Sequence, residues 1–210
     1  MIWVFGDSWA NGYGLKEGEK RFSDYFYPVT NLGEDASSLG HTTSTILQTS
    51  KDFREGDTMI VITPPDTRWY HIGTNYITHS IFNGHPQQEK VLEIFDSSEW
   101  YIYHHSLFIY TLVNLAKDKG MKICLAHNYG KLEIAPCFKQ LISDDVFLSK
   151  DKSLAHHLLG KEGWTNNLKP FTTNSMPSLE GEYFIPGDNH PNEAGHRYIA
   201  DLLIDKLKTL

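Results

Sequence analysis

Ile2-Trp3-Val4-Phe5-Gly6-Asp7-Ser8-Trp9-Ala10-Asn11 is an apolar run that breaks at a glycine and a pair of turn residues. Ile2 to Phe5 mixes β-branched and aromatic side chains, the composition of a buried strand. Gly6 ends the run, and Asp7 and Ser8 follow where a parallel strand delivers its chain to the carboxyl edge of a sheet. Ligands of open α/β sheets sit outside that edge, so a hydroxyl on this turn is positioned to react. The plain alternative is a turn serine bonded to neighbouring backbone. What decides between them is what else the chain brings to the same edge.

Working outward, Thr58 to Thr63 is the clearest buried strand, stopped by Pro64-Pro65. Met121 to Ala126 reads as another strand and Tyr27 to Leu32 as a shorter one. Gly33 to Gly40 is a turn-rich connection. The apolar spacing predicts a helix over Thr42 to Phe53 with Ile46 and Leu47 inward. Gln87 to Lys119 is helical in two pieces hinged near Asp96-Ser97-Ser98, with Leu107, Tyr110, Val113 and Leu115 along the second and Gly120 suited to its C-terminal cap. Asn192 can cap a last helix running to Leu207, with Ile199, Leu202, Leu203 and Leu207 on its inner face. Residues 64–86 form a polar-aromatic stretch suited to shaping a pocket, and 127–186 read as short helices and ordered loops. Strands alternating with helices predict a parallel sheet covered on both faces. The expected fold is α/β, a three-layer α/β/α, flavodoxin-like arrangement with residues 1–210 in a single domain.

A net charge of −7 argues against a nucleic-acid phosphate backbone as partner. No segment reads as a membrane span. A strand beginning at residue 2 leaves no room for a signal peptide, so the expected location is cytoplasmic or within a larger assembly. Cys124 and Cys137 are the only cysteines, which leans towards a reducing compartment. The histidine pairs His104-His105 and His156-His157 point apart on a helix or strand. With no His-Glu-x-x-His or Cys-x-x-Cys spacing, no metal is expected. Gly12-x-Gly14 lacks the rest of a dinucleotide fingerprint, and no cofactor is expected.

The chemistry gathers near the other end of the chain, in Gly187-Asp188-Asn189-His190-Pro191-Asn192-Glu193-Ala194-Gly195-His196. A serine hydroxyl is a weak nucleophile until a base stands within hydrogen-bond reach, and histidine titrates in the right range. A carboxylate on the other ring nitrogen fixes the tautomer and stabilises the imidazolium formed during attack. Asp188 and His190 are close enough for one loop to supply both, stiffened by Pro191 and anchored by the helix that follows. His196 is the rival base, one turn inside that helix.

Gly6-Asp7-Ser8-Trp9 at one end and His190-Pro191-Asn192 with Gly195-His196 at the other resemble the opening and closing blocks of the SGNH (also called GDSL) hydrolases. The resemblance spans the whole chain and implies that family's α/β/α fold. It implies Ser8 as nucleophile, His190 as general base and acid, and Asp188 as orienting carboxylate. In the family two residues separate the aspartate from the histidine, and here only Asn189 does, so a Ser-His dyad with another orienter is the alternative. The resemblance also implies three oxyanion donors. One is the Ser8 backbone N–H. The second falls at Ala36, with Gly40 as alternative. The third should be an asparagine, but after Thr63 the chain reads Pro64-Pro65-Asp66-Thr67-Arg68, leaving Thr67 or Arg68 as substitutes.

The implied activity is that of a serine esterase or acyl hydrolase acting on a small-molecule or carbohydrate ester, for instance an O-acetyl group. Trp9, Tyr13, Trp69, Tyr70 and Trp164 would either line a groove for sugar rings or pack loops onto the core. An acyltransferase would use the same residues. A glycan-binding or structural module that has kept the fold without turnover is the reading from another class.

Overall fold

The computed structural model describes residues 1–35, 37–64, 68–70, 78–80, 98–129, 132–160 and 181–210. Its elements run β1 (Ile2–Gly6), α1 (Ser8–Asn11), β2 (Val29–Asn31), α2 (Leu39–Thr49), β3 (Thr58–Thr63), β4 (Arg68–Tyr70), β5 (Thr78–Ser80), α3 (Ser98–Asp118), β6 (Lys122–His127), α4 (Leu154–Leu159) and α5 (Glu193–Leu207). Side chains alternate across each strand, and the alternation splits the core in two. Val4, Ile60, Ile62, Cys124 and Ala126 pack with Trp9, with Leu154 of α4 and with Ile199 and Leu203 of α5. Phe5, Met59, Val61, Ile123 and Leu125 point the other way, onto Leu39 and Ile46 of α2 and Ile109, Leu112 and Ala116 of α3. The result is the expected three-layer α/β/α arrangement.

The four central strands are parallel, in the order β2-β1-β3-β6. The chain leaves β1 to one side to make β2 and returns on the other side as β3. That reversal opens a crevice at the carboxyl ends of β1 and β3, the usual ligand position in such sheets. Ser8 opens α1 there, immediately after β1. Gly6 permits the approach: its φ is +144°, and a Cβ on it would stand 2.5 Å from the Ile62 carbonyl oxygen of β3.

Several boundaries differ from the sequence reading. Ser38 caps α2 by accepting the His41 backbone N–H, so the helix starts at Leu39 and Gly40 lies in its first turn, not in the preceding connection. The buried stripe of α2 runs Leu39, Thr42, Thr43, Ile46. Leu47, one residue and about 100° further round, is half-exposed instead of inward. In α3 the buried stripe likewise runs Ile109, Leu112, Ala116; Leu107 faces solvent, and Tyr110, Val113 and Leu115 flank the stripe. The 64–86 stretch contains an antiparallel pair, β4 with β5, where one loop was expected. Residues 87–97, the first helical piece and its hinge, lie outside the described residues. Among the described residues no helix is long and apolar enough to cross a membrane.

Two buried imidazoles couple packing to pH. His196 in α5 accepts the Phe22 backbone N–H through Nδ1 at 3.3 Å and lies against the Phe22 ring. Burial pushes its pKa down to about 4. His127, at the end of β6, meets Thr63 Oγ1 at 2.8 Å, and burial, reinforced by His105 and His156, pushes it down to about 3. Both are neutral in the fold, while an unfolded histidine titrates near ~6.5. Between those values the unfolded chain binds more protons. Stability is therefore complete above about pH 6.5 and falls as pH drops towards 4 and then 3.

Gly6→Ala should cost more than ~2 kcal/mol of unfolding free energy in urea melts, from the φ penalty and the clash with Ile62 together. Melts repeated from pH 7 to pH 4 should show a progressive loss of stability. His196→Asn, which keeps an acceptor for the Phe22 N–H but cannot titrate, should shrink that loss by on the order of 3 kcal/mol.

Candidate active site

Ser8 is presented by a single helical turn whose cap is built into the sequence. Asp7 is the N-cap: its Oδ1 accepts the Trp9 backbone N–H at 3.1 Å, and its carbonyl accepts from Ala10 and Asn11. Its other oxygen, Oδ2, accepts from Asn128 Nδ2 at 2.8 Å. Trp9 points inward, 1% exposed, and donates through Nε1 to the Tyr129 hydroxyl at 2.8 Å. The turn is thus held from both sides, leaving Ser8 at 4% exposure. Among the described residues none accepts from the Ser8 backbone N–H.

The opposing loop is a tight hairpin. Ile185-Pro186-Gly187-Asp188 closes on an Asp188 N–H bond to the Ile185 carbonyl. Proline at the second place and glycine with φ +75° at the third are what a type II turn requires. Ile185 also donates to the His190 carbonyl, and Phe184 bridges to Pro191. Asn192 ties this hairpin to α5, accepting from the Gly195 N–H and donating to the carbonyls of Glu182 and Phe184.

Asp188 to His190 is a bend in which the Asp188 carboxylate turns back onto the backbone two residues on, which is how a spacing with one intervening residue still brings Asp188 onto His190. Asp188 Oδ1 accepts the His190 backbone N–H at 3.2 Å and contacts Nδ1 of the same ring. His190 Nε2 then stands 2.8 Å from Ser8 Oγ. Side-chain exposures of 19% for His190 and 35% for Asp188 leave the cluster open to solvent on one side. The half-exposed Tyr13 ring lies 4.8 Å, centroid to centroid, from the imidazole. This arrangement can transfer a proton from a serine hydroxyl to an oriented imidazole.

The other candidates are distributed differently. His196 is wholly buried against Phe22, and it is His190, not His196, that touches Ser8. Gly40 stands in the first turn of α2. Ala36 and Thr67 lie outside the described residues, as does the side chain of Arg68, whose backbone begins β4. Of the aromatics, Trp9 packs into the core and Tyr13 reaches the cluster, while the side chains of Trp69, Tyr70 and Trp164 lie outside the description.

Sequence reading missed Asn128 and Tyr129. Tyr129 donates its hydroxyl proton to the Asn189 carbonyl at 2.8 Å, between Asp188 and His190. The available signal was position: both residues lie just beyond a predicted strand, at the carboxyl edge where Ser8 emerges.

No protein-family model matches the chain, and no curated protein matches it in sequence. Among solved structures, a member of the lipolytic protein G-D-S-L family from Veillonella parvula aligns with 100% of this chain and 98% of its own, at a TM-score of 0.51 and 17% identity. The chain therefore has an α/β fold of the kind seen in that GDSL-family lipolytic protein.

Proposed function

We propose that this chain is a serine ester hydrolase of the SGNH type, with Ser8, His190 and Asp188 acting as a triad. The observation that carries the reading is the contact series Ser8 Oγ, His190 Nε2, His190 Nδ1, Asp188 Oδ1. Ser8 Oγ attacks the ester carbonyl carbon while its proton passes to Nε2. The resulting imidazolium is stabilised by the Asp188 carboxylate. Collapse of the tetrahedral intermediate expels the alcohol, which leaves with the proton from Nε2. Water then attacks the acyl-enzyme, giving its proton to Nε2, and the carboxylic acid departs as Ser8 regains its hydrogen.

The developing oxyanion needs donors. The Ser8 backbone N–H is one. The backbone at Ala36 or Gly40 and the guanidinium of Arg68 are candidates for the others. For the substrate, a small acyl group on a carbohydrate is favoured, since Tyr13 offers a half-exposed aromatic face beside His190 on which a sugar ring could stack. An acyltransferase would share every step as far as the acyl-enzyme and differ only in the acceptor. The missing asparagine after Thr63 favours a second reading, a fold retained for glycan binding without turnover.

Hydrolysis of p-nitrophenyl acetate is the test. Ser8→Ala and His190→Ala should each lower kcat by ~10⁵-fold or more, and Asp188→Asn by about 10⁴-fold. A fluorophosphonate probe should label wild type and not Ser8→Ala. Equal inertness of wild type and Ser8→Ala, with no labelling, would select the binding module.

A further inference from the structure

Asn128 and Tyr129 leave the end of β6 at the same edge of the sheet as Ser8, but with β3 between them and β1. Both are buried. Their side chains reach the candidate site at different points. Asn128 grips Asp7, the cap of the serine turn. Tyr129 is bonded to both halves at once, accepting from Trp9 Nε1 beside Ser8 and donating to the carbonyl of Asn189 between Asp188 and His190, each at 2.8 Å.

The direction of this chain is unambiguous. An indole N–H can only donate and a carbonyl can only accept, so the single phenolic proton must point at Asn189. Trp9 and Asn189 are each covalently adjacent to a member of the triad. The Tyr129 hydroxyl is therefore an atom to which both the serine turn and the acid-base hairpin, 182 residues apart in sequence, are hydrogen-bonded.

We propose that the Tyr129 hydroxyl is a positioning group for the reaction proposed above, setting the distance between Ser8 Oγ and His190 Nε2 without touching substrate. The inference rests on that reaction. Tyr129→Phe deletes the shared atom while leaving the ring, whose edge-on packing against Trp9 at 4.9 Å needs no hydroxyl. The serine turn and the hairpin then keep their own internal bonds but lose the partner they share, leaving the Ser8–His190 contact without that support. Proton transfer depends steeply on that separation, whereas binding of a small ester does not.

The experiment measures kcat and KM for p-nitrophenyl acetate, and the rate of fluorophosphonate labelling, on the full chain. Tyr129→Phe should lower kcat by about 10- to 100-fold, leave KM within about twofold, and slow labelling in proportion. Trp9→Phe should lower kcat less, because the bond to Asn189 survives. Trp9→Phe combined with Tyr129→Phe should be no slower than Tyr129→Phe alone, the signature of two groups acting through one link. Ile46→Ala, in the core on the opposite face of the sheet, serves as the control for lost stability: its melting temperature should fall while kcat per folded enzyme holds. Wild-type kcat in Tyr129→Phe, or additive effects in the double variant, would overturn the positioning role and leave the esterase intact. A wild type that neither turns over nor labels would overturn both.

Discussion

The carboxyl group of Asp7 has no solvent exposure, and that burial constrains everything around the serine turn. Burying a carboxyl group away from water is costly unless hydrogen-bond donors replace the lost hydration. One donor is local, the Trp9 N–H of the same helical turn. Another, Asn128 Nδ2, arrives from the end of β6, two strands and roughly 10 Å across the sheet at ordinary strand spacing. The bond from Asn128 forms only when β1, β3 and β6 lie side by side, so it ties the serine turn to the assembled sheet.

The close contact of Gly6 with Ile62 serves the same end. By letting the last residue of β1 lie against β3, it places the turn over the crevice created by the reversal of strand order. The polar groups that converge there are mostly buried, and low dielectric makes each hydrogen bond matter more. Trp9, Tyr129 and Asn189 form one such series, with Asp7 and Asn128 beside it. Tyr13, half-exposed, and Asp188 and His190, partly exposed, occupy the open side.

Legibility followed burial. Strands covered on both faces appear as unbroken apolar runs, and β1, β3 and β6 were readable within a residue or so at each end. Helix faces were harder. In α2 and α3 the apolar residues outnumber the positions of one stripe, and packing chose Ile46 over Leu47 and Ile109 over Leu107. The start of α2 was misread because the Ser38 cap outweighed the turn-forming tendency of Gly40. For the hairpin, Pro186-Gly187 was a visible turn signal, yet its consequence for the spacing of Asp188 and His190 was not drawn from the sequence.

From sequence alone came the alternation of strands and helices, the parallel α/β class and the two ends of the chain as the carriers of chemistry. These depend on local patterns: apolar runs, a glycine break, a capped helix beside a histidine. Only the tertiary structure decided that Ser8 Oγ and His190 Nε2 stand 2.8 Å apart, that His190 and not His196 faces the hydroxyl, and that Asn128 and Tyr129 belong to the same cluster. The physical reason is that a hydrogen bond between groups far apart in sequence leaves no periodicity in either segment. It exists only once the sheet has brought the ends of β1 and β6 and the hairpin before α5 to one edge.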